Sequence, residues 1–203
     1  MAALVLALAA SACREPPARD VRRVAGLGAE IRAIGLGRPV EARLNAAFAA
    51  LEPGDGAGVA RAVAALRAGG ARKGLVNMGG RRLAVFGEPL TVAVRDPRLA
   101  DGPRWATITL TEAALATVDP SGTGPRTGTS ILSVTVVAPG AAEAEALASA
   151  VAGLPPADAL ARLAREGAGI VLTREGDTRV IAATPGFAAA HALAPEAGVV
   201  LRP

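Results

Sequence analysis

Rings and soft ligands are scarce in this sequence. Its 203 residues include one Trp, three Phe and no Tyr, with one Cys and one His. A lone cysteine excludes an internal disulfide. With so few aromatics, the core has to be built from Ala, Val and Leu, each burying less area than a ring would. Lysine is nearly absent too: Lys73 is the only one, so the formal charge of +4 rests on arginine. Those arginines are scattered among Asp and Glu, and no tyrosine is interleaved for base stacking. The pattern lacks the clustered charge of a nucleic-acid surface, so no nucleic-acid partner is expected. What remains is 51% hydrophobic and 20% charged, a balance that suits one globular domain.

The single cysteine, Cys13, follows an apolar run over residues 2–12 that ends in small residues. That run falls short of the roughly 20 residues a bilayer span needs, but fits the apolar part of an export signal. LAASAC resembles a lipobox, in which Cys13 becomes the lipidated first residue after cleavage. The expectation is a signal peptide at 1–12 and a lipidated cysteine with an extended tether at 13–23. The protein would then be exported and membrane-anchored, facing the periplasm or cell exterior. A start placed inside a longer leader is the alternative.

Beyond the tether, residues 24–34 carry apolar side chains at strand spacing. Pro39 opens a helix whose Leu44, Ala47, Phe48 and Leu51 make one apolar stripe. The turn cluster EPGDGAG at 52–58 leads to a second helix with Val59, Val63 and Leu66, ending at Gly69 and Gly70. Short strands are expected at 74–78, 82–86, 90–95 and 105–110. Residues 119–129 read as a loop and 131–137 as a strong strand. Helices are expected at 141–152 and 157–166, and a closing hairpin at 169–173 and 178–182. There is no internal repeat. This order of elements predicts a single α+β domain over 24–187, with a mostly antiparallel or mixed sheet flanked by helices. Residues 188–203, with His191, read as a tail.

Four stretches, in order, carry a resemblance. They are LGAEIRAIG with the helix ending AAFAALE; GLVNMGGRRLAVFG at 74–87; LTVAVRDPR with WATITL; and PRTG followed by SVTVVAP and AEALASA. Together they resemble the ApbE-like FAD:protein FMN transferases. The second stretch is the most specific, with Asn77, Gly79 and Gly80 on the family's motif. Paired glycines let backbone N–H groups approach a ligand closely, although an ordinary β-turn uses them too. Arg95 reads either as a phosphate contact or as a solvated strand end. Glu145 and Ser149 lie at i,i+4 on one helix face, where they are either hard ligands for Mg²⁺ or part of a solvated surface.

The resemblance implies an enzyme that takes FAD as substrate and transfers FMN, with Mg²⁺, to a Ser or Thr hydroxyl of an acceptor flavoprotein. The implied metal residues are Glu145 and Ser149. The implied FAD contacts are Asn77, Gly79, Gly80, Arg95, Arg126, Thr127 and Gly128, with Asp119 as the catalytic residue. The alternative is an inactive ApbE-like lipoprotein that binds flavin, nucleotide or a partner protein. The sequence departs from the family in four places, one being DGAGVA at 55–60 where the family has a Lys-Gly element before the second helix. A central segment is missing after Glu52, and Glu145 stands where the family has Asp. The family's histidine loop survives only as PRTG at 125–128: aligned directly, Ser121 takes the histidine position. If Asp119 and Pro120 are the family's Asp-Pro pair, the loop instead carries an insertion and still has no histidine.

Overall fold

A computed structural model describes residues 18–24, 26–51, 55–95, 103–120, 131–166, 168–175 and 177–202. Nine strands form one sheet, in the order β1 (Ala18–Val24), β2 (Leu27–Ile34), β3 (Lys73–Met78), β4 (Arg82–Phe86), β7 (Ala113–Val118), β8 (Ile131–Ala138), β9 (Ala168–Glu175), β10 (Thr178–Ala183), β12 (Val199–Arg202). Every neighbouring pair is antiparallel except β10 with β12. A second sheet joins β5 (Leu90–Arg95), β6 (Arg104–Leu110) and the two-residue β11 (Ala194–Pro195). The expected α+β domain with a mostly antiparallel sheet is what forms.

Alternation along the strands sorts their side chains into two layers. Val76, Met78, Ala84, Phe86 and Ala114 face α1 (Val40–Ala50) and α2 (Gly56–Ala68). Ala116, Val134, Val136 and Val171 continue that face under α3 (Ala141–Ala152) and α4 (Pro156–Glu166). Leu75, Leu83, Val85, Leu115, Val137, Ile170 and Leu172 point the other way, against Val92, Trp105, Ile108 and Leu110 of the small sheet. The result is three layers: helices, the large sheet and the small sheet.

With few large side chains, the helices pack through alanine. Ala47, Ala62, Ala144, Ala148 and Ala159 are fully buried, so backbones come close. The tightest approach is α2 on α3, where a Cβ added at Gly56 would lie 2.5 Å from the Ala141 carbonyl oxygen. Asp55 caps α2, its carboxylate accepting the Gly58 N–H at 2.7 Å, and Pro156 opens α4, where a missing N–H costs nothing.

Three expectations change. Residues 18–23 of the predicted tether are strand, pairing with β2 from Ala18↔Ala33 to Val24↔Leu27. The predicted strand at 24–34 is therefore the second arm of a hairpin. Residues 188–202 of the predicted tail are part of the fold: α5 (Phe187–Ala190) leads to β11 and β12, and β12 extends the large sheet beside β10. His191 packs on Phe187 with ring centres 4.7 Å apart, and its carbonyl accepts the Thr109 N–H at 2.6 Å. Finally, β7 (Ala113–Val118) lies at the centre of the sheet in a stretch given no element from sequence. Among the described residues no helix is long and apolar enough to cross a membrane. Cys13 and the expected signal segment lie outside the described residues.

Candidate active site

The register brings several turns to one edge of the large sheet. Met78 pairs with Arg82 across the β3–β4 turn, and Thr117 near the end of β7 donates its N–H to Arg81 O at 2.7 Å. The start of β8, the β1–β2 turn and the β9–β10 turn lie on the same edge. Two of the sequence motifs meet here: the Asn-Gly-Gly turn and Asp119, one residue past β7.

The turn is built by glycine and held by asparagine. Gly79 and Gly80 have φ of 63° and 67°, a left-handed conformation that glycine adopts at no steric cost. Asn77 Oδ1 accepts the Gly80 N–H at 3.0 Å, and Arg81 N–H closes the turn onto Met78 O at 3.2 Å. The Gly79 N–H is tied to Gly28 O of β2 at 2.7 Å. The space over Gly80 is open, with no atom within 4 Å of an added Cβ. A ligand can therefore reach the backbone there.

Glu145 and Arg82 lie on the opposite face from Asn77. Asn77 shares the face of Leu75, toward the small sheet, whereas Arg82 shares the face of Ala84 and Phe86, toward the helices. Glu145, half-buried on α3, turns one carboxylate oxygen to Arg82: Nε donates to Oε1 at 2.6 Å, and the second guanidinium nitrogen pairs with the same oxygen. The other oxygen, Oε2, accepts the Gly56 N–H at the start of α2, at 2.5 Å. Ser149 lies one turn further along α3 and is exposed.

This geometry tests the expected Mg²⁺ site, and the residues do not fit it. The cation that Glu145 meets is Arg82, and its other oxygen is committed to a helix N-terminus that also carries positive potential. Ser149, the other expected ligand, is exposed, and no cluster of three or more His, Cys, Asp or Glu among the described residues adds further side-chain ligands. The i,i+4 spacing of Glu145 and Ser149 is real, but Arg82, 63 positions earlier than Glu145, could not be seen from that spacing.

Of the remaining expected site residues, Asp119 is half-buried. Arg95 ends β5 in the small sheet, pairs with Arg104 past a register shift after Val94, and is exposed. Arg126, Thr127, Gly128 and Ser121 lie outside the described residues. The residue that sequence reading missed is Arg82. It directly follows the NMGGR motif, and the signal that could have found it is strand parity: counting back from Phe86 and Ala84 puts Arg82 on the helix face.

Residues 53–172 match the model of the ApbE family, a span that includes the glycine turn, Asp119, Arg82 and Glu145. The chain belongs to the ApbE family. Its fold is similar to the apo flavinyl transferase ApbE of Pseudomonas stutzeri, at 23% identity and a TM-score of 0.54, over 70% of this chain and 50% of that one. It is also similar to the flavin transferase ApbE of Vibrio cholerae (19% identity, TM-score 0.55, 66% and 49% of the two chains). The ApbE protein of Thermotoga maritima is comparable, at 20% identity and a TM-score of 0.52 over 65% and 49%. The chain thus spans about half the length of these solved relatives. At such identities the likeness is one of fold. No curated protein matches the sequence.

Proposed function

We propose that this ApbE-family chain binds FAD at the edge carrying the Asn77–Gly80 turn and transfers FMN to a Ser or Thr hydroxyl of an acceptor flavoprotein. One observation carries the reading: within the family-matched span, a rigid turn presents open backbone beside the end of the β7 strand. The Gly79 and Gly80 N–H groups are already bonded to Gly28 O and Asn77 Oδ1, so what the turn offers a ligand is close approach over the open Gly80 backbone. In the transfer, the acceptor hydroxyl oxygen attacks the phosphorus on the FMN side and the bridging P–O bond breaks. AMP leaves, and the hydroxyl proton passes to a base, the role assigned to Asp119. Asn77 orders the turn through Gly80, and Arg126, Thr127 and Gly128, which follow Asp119 in the sequence, are the further proposed FAD contacts.

The reading includes export and a lipid anchor at Cys13, which would place the chain beside membrane-bound acceptors. A second reading, FAD binding without transfer, is favoured by the Arg82–Glu145 pair, which takes up the carboxylate expected to hold the metal. The test is a flavinylation assay with FAD and an acceptor domain, read by in-gel flavin fluorescence. A fluorescent acceptor band supports transfer. No band, with FAD still raising the melting temperature, supports binding alone. Neither signal removes the flavin reading.

A further inference from the structure

From the contacts of Glu145 we infer that Arg82 is this chain's built-in replacement for a divalent cation: its guanidinium holds the place beside Glu145, and the chain takes up no metal there. The first ground is charge. Glu145 contributes one negative charge. Arg82 contributes one positive charge, while the positive end of α2, which reaches Oε2 through Gly56 at 2.5 Å, is itself met by its capping carboxylate Asp55. The charge of Glu145 is thus balanced by Arg82 before any ion arrives, so it offers a divalent cation little net attraction.

The second ground is the cost of exchange. To bind a metal, Glu145 would have to release Arg82, whose side chain is 25% exposed beside a carboxylate 22% exposed. A guanidinium stranded in that setting is costly. Gly56 cannot follow the movement, because α2 is pressed on α3 so closely that a single Cβ at Gly56 would meet backbone of Ala141 and Ala142 within 3 Å. The third ground is position: Arg82 stands on the helix face of β4 directly before Glu145, so its guanidinium fills the space in front of that carboxylate.

For its ligand this inference rests on the flavin reading, but its metal arm does not. Mn²⁺ binding to the full chain would be followed by electron paramagnetic resonance, with Mn²⁺ alone and no flavin. The wild type is expected to leave the free-ion signal unchanged at millimolar metal. Arg82→Met, which frees the carboxylate, is expected to gain weak saturable binding that disappears in the Arg82→Met, Glu145→Gln double variant. Arg82→Lys keeps the positive charge and stays metal-blind, and circular dichroism checks that each variant is folded. Saturable Mn²⁺ binding by the wild type that Glu145→Gln removes would overturn the inference. So would Arg82→Met, folded, gaining nothing. The second arm measures FAD affinity with and without a chelator. An unchanged affinity is expected, and a tenfold loss on chelation overturns metal independence. If FAD does not bind at all while the Mn²⁺ results come out as expected, the flavin reading fails and the assignment of Arg82 stands.

Discussion

Arg82 and Glu145 join strand β4 to helix α3 across 63 positions of sequence, with Nε 2.6 Å from Oε1. Through Gly56 the same carboxylate also fixes the start of α2, so one side chain ties three elements. Replacing Glu145 by Ala leaves the guanidinium without its partner and the Gly56 N–H without its acceptor. The expected loss is about 2 kcal/mol, between the values for exposed and fully buried pairs. In a domain of this size that lowers the melting temperature by roughly 4–8 °C. Thermal unfolding followed by circular dichroism reads it, and a shift under 1 °C would reduce the contact to a surface pair.

The Asn77 turn separates stability from binding. Asn77→Ala removes the acceptor of the Gly80 N–H and should cost about 1 kcal/mol, a typical net hydrogen bond. Asn77→Asp keeps an acceptor at that position but adds a negative charge beside the proposed pyrophosphate site. Its melting temperature should stay near wild type while FAD affinity falls at least tenfold. Calorimetric titration with FAD decides the matter, since equal FAD affinity in Asn77→Asp and wild type would move the nucleotide away from this turn.

How much of this was legible in the sequence depends on which forces left a local trace. The β3–β4 hairpin was readable because Gly79 and Gly80 are required by its backbone, and α4 because Pro156 and an apolar spacing mark it. Strand β7 was not. AALATV is half alanine, a poor strand former, and it is a strand because β4 and β8 supply partners on both sides. Likewise ARDVRRV reads as a polar tether, yet β2 turns it into an edge strand, with Arg19 reaching Glu30 across the pair at 2.7 Å. At the site, Asn77 and Glu145 were both singled out, but sequence could not show that they face opposite sides of one sheet. It also could not pair Glu145 with Arg82, since that contact exists only once α3 has folded back over β4 and β7.

Trp105 offers a probe of the layer between the two sheets. It is the only tryptophan, 1% exposed, and its Nε1 has no hydrogen-bond partner. Buried indoles usually find one, so this ring sits among apolar neighbours with its N–H unmet. The expected emission is blue-shifted and insensitive to iodide, moving to the red on unfolding in a single transition. Red-shifted, quenchable emission from the native protein would mean that water reaches the ring and that the small sheet does not seal this layer.

Glu112 should contribute to the acid sensitivity of the fold. In the turn between β6 and β7, its Oε1 accepts the Gly87 N–H at 2.7 Å and its Oε2 accepts from Arg67 at 2.5 Å. The Gly87 amide first, then the Arg67 guanidinium, hold its carboxyl below the ordinary value of 4.5. A carboxyl lowered in the folded state binds its proton more readily when unfolded. Its contribution is therefore complete above pH 4.5 and is lost as pH falls through the lower, folded value. Because the side chain is 53% exposed, salt should weaken the effect. Melting temperatures measured from pH 7 to pH 3 should fall more steeply for wild type than for Glu112→Gln, and the two slopes should converge in high salt. Parallel profiles at low salt would show that Glu112 is tied no more tightly in the folded chain than in the unfolded one.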